Sequence, residues 1–219
     1  MEGRAIVYLA GPSYNREESA GMEAIAALLE ESGYGVYLPS RDGLAQRKLA
    51  LDIPESDAGQ GHGGVLRDAA FALAVYQLAR RCDVLVFNMN GRLPDEGGTF
   101  EAAVAFALGK PVILYKRDHR TKLHGNDNAM ITGLSREFST VTSARDLPRA
   151  IARGLGQSAA SAGQPAAMPP FVELTAQLGQ DIWESLQKLE KQASPTATEA
   201  FFDDLSSVLA DSADHRLSK

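Results

Sequence analysis

Residues 94–115 read PDEGGTFEAAVAFALGKPVILY, which places a turn, acidic residues, two glycines, a short helix and a strand in one continuous unit. The Ala- and Leu-rich middle predicts a helix that starts near Gly98 and stops at Gly109, a residue suited to the position after a helix end. Pro111 cannot continue it, and PVILY reads as the strand that follows. On this reading Glu101 lies in the first helical turn. There the unpaired backbone N–H groups and the positive end of the helix dipole favour an ionised carboxylate, and Asp95 sits just upstream facing the same space. Capping alone also places acids at helix starts, so the weight of Asp95 and Glu101 depends on what surrounds them.

Working outward, residues 5–10 form an apolar, β-branched run that reads as a buried strand, and the turn AGPSYN after it is small enough to let a ligand approach the backbone at Gly11 and Pro12. Met22, Ile25, Ala26, Leu28 and Leu29 repeat at helical spacing over residues 17–32, and Gly33 ends them. GVYLP is a second strand. Residues 40–64 turn irregular through Asp42-Gly43, Pro54 and GQGHGG, and read as a lid or substrate loop. Helical spacing returns over residues 65–81, and CDVLVFNMNG is a continuous apolar strand ending in a turn that carries Asn88 and Asn90. Downstream of PVILY come a polar loop KRDHRTKLHGNDN, a weaker segment AMITGLSREF, a short strand near residues 139–142 and a helix over residues 146–153.

Strand and helix thus alternate about five times, with strands apolar throughout, which is the pattern of a parallel sheet covered on both faces. Such sheets bind ligands beyond the carboxyl ends of their strands. The turns AGPSYN, NMNGRLPDEGG and KRDHRTKLHGNDN all fall on that edge. Residues 1–155 therefore read as one α/β domain, residues 156–170 (GQSAASAGQPAAMPP) as a flexible linker, and residues 171–219 as a helical extension. In the extension Phe171, Leu174, Leu178, Ile182, Leu186 and Leu189 mark one amphipathic helix, and Phe201, Phe202, Leu205, Val208 and Leu209 a shorter one. Two helices cannot form a core alone, so they are expected to pack on the sheet domain or on another copy of the chain.

The chain has 219 residues, 44% of them apolar, and a net charge of −6 without a long basic run, so a broad nucleic-acid interface is not expected. No apolar run reaches membrane-spanning length. One cysteine, Cys82, gives no disulfide framework and fits a reducing cytoplasm; it reads as a buried helix-end residue. GxxxxGK[ST], GxGxxG after the first strand, HExxH and GxSxG are missing. His119 and His124 share a loop with Asp118 and Asp127, but solvated loops often carry such residues, and neither a metal nor a cofactor is expected. What remains is the carboxylate pair. Two nearby carboxylates in different environments can divide labour, one as an ionised nucleophile and the other as proton donor or base-holder, as glycoside chemistry requires.

The run IVYLAGP, the strand CDVLVFNMNG, the Asp95-x5-Glu101 segment and the downstream Asn128-Ala129-Met130, in that order along the chain, resemble the nucleoside 2-deoxyribosyltransferase family over roughly residues 5–135. The resemblance implies a flavodoxin-like doubly wound sheet and cleavage of the N-glycosidic bond of a 2′-deoxynucleoside. The sugar would pass to a free nucleobase, in a homo-oligomer with subunit-shared sites. It implies Glu101 as nucleophile, Asp95 as the acid that holds the base and Tyr8 as the tyrosine that hydrogen-bonds the nucleophile. Asn128 would be lent by a neighbouring subunit to the sugar 5′-hydroxyl. Gly11, Pro12, Asn88, Asn90, Gly98 and Met130 complete the expected substrate-binding set, although Asn88 and Asn90 also suit a turn for conformational reasons and Asn128 suits a helix cap.

One position departs from the family. An Asp usually found eight or nine residues before the position of Asp83 is replaced by Ala74 and Val75, with Gln77 and Asp68 as nearby substitutes. Hydrolysis of a nucleoside or nucleotide, and a catalytically silent nucleotide-binding module, are therefore the rival expectations, followed by a scaffold whose terminal helices recruit partners. The GG-T-x-x-E pattern is also similar to that of the phosphoribohydrolases that release cytokinin bases, but their further Pro-Gly-Gly run is incomplete here.

Overall fold

The computed structural model describes residues 3–44, 62–91, 94–118, 127–160, 167–192, 205–207 and 209. Residues 45–61 of the lid expected over residues 40–64, His119, His124 and most of the last expected helix lie outside them. Five strands are present: β1 (Ile6–Ala10), β2 (Gly35–Tyr37), β3 (Val84–Asn88), β4 (Val112–Tyr115) and β5 (Thr140–Val141). They form one sheet in the order β2-β1-β3-β4-β5, and every pairing is parallel. This is the flavodoxin-like order, in which the chain leaves β1 first to one side and then to the other, opening a crevice at the carboxyl ends of β1 and β3.

The helices are α1 (Arg16–Glu31), α2 (Pro39–Asp42), α3 (His62–Tyr76), α4 (Glu96–Ala107), α5 (Ala129–Thr132), α6 (Leu147–Ala160) and α7 (Pro170–Gln192). Side chains alternate across the central strands, as pleated backbone requires. Val7, Leu9, Val84 and Val86 join Met22, Ile25 and Leu29 of α1 and Leu147 and Ile151 of α6 in one core. Phe87 faces the other way and meets Gly98 of α4. Each such fully buried side chain contributes about 1.5–3 kcal/mol.

By its contacts the chain forms two compact units: Met1–Ser40 with Arg81–Ala167, and Arg41–Arg80 with Met168–Lys219. The first holds the sheet. In the second, Ala69, Ala72 and Leu73 of α3 pack with Leu178, Ile182 and Leu186 of α7, and Leu44 and Leu205 close the cluster. The two helices approach closely at Gly179, where a Cβ would collide with the carbonyl oxygen of Ala72. That contact sets which face of α7 is buried. Phe171 and Leu174, expected on the buried stripe, are 57% and 40% exposed, while Thr175, Leu178, Gly179, Ile182 and Leu186 face inward. Among the described residues no helix is long and apolar enough to cross a membrane.

Two local departures have clear causes, and a third is a change of helix type. α4 begins at Glu96 and not near Gly98, because Asp95 is its N-cap and accepts a hydrogen bond from the Gly98 backbone N–H. Glu101 is accordingly the sixth helical residue, in the second turn. α6 runs through Ala160, past residue 155, because Gln157, Ser158, Ala159 and Ala160 are all tolerated in a helix. α3 passes directly into a π-helical turn, Gln77–Arg81, before β3.

Candidate active site

The site is built where β1 and the start of α4 meet at the carboxyl edge of the sheet. Tyr8, in the middle of β1, is fully buried, and its ring lies 5.4 Å from that of Tyr37 at 44°. Its hydroxyl donates a 2.6 Å hydrogen bond to Oε1 of Glu101. A phenol held in the core against an anion does not ionise: burial, and then the Glu101 charge, raise its pKa well above the usual value. Tyr8 is therefore a fixed donor at neutral pH.

Glu101 keeps partial exposure to the adjoining space, but the protein around it excludes enough water to shift its titration. Burial pushes the carboxyl up to about 7, the Tyr8 hydrogen bond pulls it down, and the charge of Asp95 pushes it up. The expected first-turn place of Glu101 is not the one the structure shows. Glu101 lies beyond the first turn, where the dipole fades, and desolvation of the charge is the larger effect. The helix start is capped by Asp95, whose Oδ2 accepts from Gly98 N while its carbonyl accepts from the backbone and hydroxyl of Thr99 at 2.9 and 2.8 Å.

Two glycines make the geometry possible. Gly11 has φ +149°, and a Cβ there would lie 2.8 Å from the Cβ of Asn88. A Cβ on Gly98 would lie 2.6 Å from the Phe87 ring and 3.0 Å from Oδ2 of Asp95. These glycines serve close packing, and they frame a cavity of about 180 Å³ into which Asp95 and Glu101 open. The turn after β1 contributes Gly11, Ser13 and Tyr14, and the segment after β2 contributes Leu38, Pro39 and Ser40.

Tyr14, Leu38, Pro39 and Ser40 were not singled out from the sequence. Tyr14 is 75% exposed, and its hydroxyl reaches Asp95, a hydrogen bond that raises the tyrosine pKa. An exposed aromatic in a turn at the ligand edge was the available signal for it. The segment after β2 carries no chemical signature and is placed only by the fold.

The remaining expected residues divide. Pro12 and Asn90 line a larger hollow of about 800 Å³ beside α1 and do not line the Glu101 cavity. Asn88 is buried, and its amide nitrogen approaches Sδ of Met22 at 3.3 Å. Its Oδ1 accepts from the backbone and side-chain nitrogens of Asn90 at 3.1 and 2.6 Å. Asn90 Oδ1 in turn accepts from the backbone nitrogens of Arg117 and Asp118 at 2.8 and 2.9 Å. These two side chains tie β3 to the loop after β4. Asn128 caps α5, accepting from Met130 N at 2.9 Å. Asn128 is exposed, Met130 is 81% exposed, and neither lines the Glu101 cavity.

Asp127 forms an ion pair with Lys116. Among the described residues no three His, Cys, Asp or Glu side chains gather to hold a metal. Cys82 is buried and its thiol is pushed up to about 12, which suits packing and not nucleophilic chemistry. In the second unit Val75 is buried, Ala74 is half-buried and Asp68 is exposed beside Arg67. Gln77 is buried, with no hydrogen-bond partner for Nε2 among the described residues.

Comparison with known proteins gives the chain a family. Residues 7–135 match the model of the nucleoside 2-deoxyribosyltransferase family. The chain belongs to that family.

Proteins described as 2-deoxyribosyltransferases also stand among the similar solved structures. A 2-deoxyribosyltransferase from Bacillus psychrosaccharolyticus is 22% identical, with 66% of this chain and 90% of that one covered at a TM-score of 0.48. A conserved protein from Enterococcus faecalis V583 is 22% identical, with 69% and 99% covered at a TM-score of 0.50, and shares the fold. A 2-desoxiribosyltransferase from Leishmania mexicana is 17% identical, with 64% and 91% covered at a TM-score of 0.39. No curated protein sequence matches the chain.

Proposed function

We propose that this family member transfers 2-deoxyribose between nucleobases through a covalent ester on Glu101. The reading is supported above all by the 2.6 Å bond from Tyr8 to Glu101, at the edge of a cavity shared with Asp95. The Glu101 carboxylate attacks the anomeric carbon as the bond to the base nitrogen breaks. The bonding electrons leave with the base, which takes a proton from solvent as it departs, balanced by the N–H proton that the incoming base gives up in the second step. An incoming base then attacks the same carbon and the carboxylate leaves.

Tyr8 fixes the nucleophile's rotamer and helps to keep it ionised. Asp95 has one oxygen committed to Gly98 N and presents the rest of its carboxylate to the base, the position to which the Tyr14 hydroxyl reaches. A cavity of about 180 Å³ is small for a whole nucleoside, since ligand pockets usually start at about 300 Å³. Completion by a neighbouring subunit fits that size, with the exposed Asn128 and Met130 as the residues it would lend.

The test is base release from each deoxynucleoside, and from its 5′-monophosphate, with and without an acceptor base. Acceptor-dependent exchange that Glu101→Ala abolishes is the expected result. Release that needs no acceptor would make the protein a hydrolase. Binding without turnover would make it the silent nucleotide-binding module that the replacement of an acid by Ala74 and Val75 suggests. No release by either protein, with no detectable binding, would sink the reading.

A further inference from the structure

Lys116 follows β4 directly, its backbone nitrogen bonded to the Val141 carbonyl at 2.9 Å, and its side chain is 1% exposed. Its ammonium donates to Oδ1 of Asp127, whose side chain is 7% exposed. Two charges thus leave water together at the point where the chain turns toward α5. A buried ion pair gives little net stability, because desolvating both charges offsets their attraction, and an apolar pair of similar volume often serves stability as well or better. What the pair does supply is a defined geometry. Asp127 precedes Asn128, whose side chain caps α5 and whose carbonyl accepts from Ile131 and Thr132 at 3.0 Å each. At the other end of the same loop, Asn90 holds Arg117 and Asp118 by their backbone nitrogens. The loop after β4 is therefore pinned where it leaves the sheet and again where it returns.

The geometry points to Lys116 as a positioning residue: through Asp127 it sets where the Asn128–Met130 turn stands, and so where the sugar 5′-hydroxyl is met. This rests on the transferase reading above, with Asn128 as the residue lent to that hydroxyl. A merely structural role would lower activity on all substrates alike; a positioning role is specific to substrates that carry the hydroxyl.

The experiment compares the full chain with Lys116→Met in two ways. In amide hydrogen exchange, Ile131, Thr132 and Gly133 lose protection by about tenfold, while β1 and β3 are unchanged. In kinetics, the wild-type preference for a 2′-deoxynucleoside over its 2′,5′-dideoxy analogue, about tenfold for one hydrogen bond, collapses toward unity, while turnover of the analogue persists. Unchanged exchange over residues 128–133, or an equal fall on both substrates, overturns the proposal. A wild-type protein that turns over neither substrate overturns the transferase reading, and with it the catalytic meaning of the pin. If Lys116→Met does not fold, Lys116→Met combined with Asp127→Leu removes both charges and the stranded carboxylate, and the same two readouts decide.

Discussion

In the proposed mechanism Glu101 is the nucleophile, and its environment moves its titration to near neutrality. Its carboxyl titrates at about 7 in the folded chain against an ordinary 4.5, chiefly through burial. Between those values the folded protein keeps a proton that the unfolded chain has released, so stability falls as pH rises through the window and the cost is complete above it. Glu101→Gln should therefore raise the melting temperature at about pH 8, by stability on the order of 3 kcal/mol, with the difference vanishing at about pH 4. Thermal melts of both proteins across that range check it. The Tyr8 bond pulls the same pKa down, so Tyr8→Phe should move the rising limb of the kcat/KM profile to higher pH and cost about tenfold at neutrality. A profile that does not move would remove Tyr8 from the account. At this scale the residue types were legible in the sequence, but the protonation balance was not, because it depends on how much protein closes over one carboxyl.

At the scale of elements, α4 shows what local sequence can and cannot place. Gly109, with φ +73°, stands where its left-handed conformation was expected to end the helix. The start was expected two residues late, because Gly97-Gly98 reads as a turn and only the bond to Asp95 shows that they are already helical. Gly98→Ala should drive a methyl into the Phe87 ring and Asp95. The expected cost is about 1–3 kcal/mol of stability together with a larger loss of activity, read by chemical denaturation and base exchange on the same preparation. Asn88 and Asn90 were visible as turn residues, and the structure gives them loop-fastening bonds that no spacing rule specifies. Lys116 passed unnoticed because a lone lysine after an apolar strand normally points to solvent.

On the scale of the whole molecule, the parallel sheet was readable because β1, β3 and β4 are unbroken apolar runs separated by helix-length segments, a pattern few other folds produce. The assignment of residues 41–80 and 168–219 to one compact unit was not readable, since it depends on which helices meet and not on either helix alone. The periodicity of α7 was plain, but Phe171 and Leu174 drew the stripe toward the wrong side. The decisive contact is a glycine, which carries no hydrophobic signal. Gly179→Leu should force α7 from α3 and expose Leu73, Leu178 and Ile182, seen as increased binding of an apolar dye and a lower melting temperature. The central claim concerns the covalent role of Glu101, and trapping with a 2-deoxy-2-fluoro nucleoside tests it most directly by intact mass and peptide mapping. The account predicts one added fluorodeoxyribosyl group on the peptide containing Glu101. Base release by the wild-type protein with no adduct at Glu101, or with an adduct elsewhere, would contradict it.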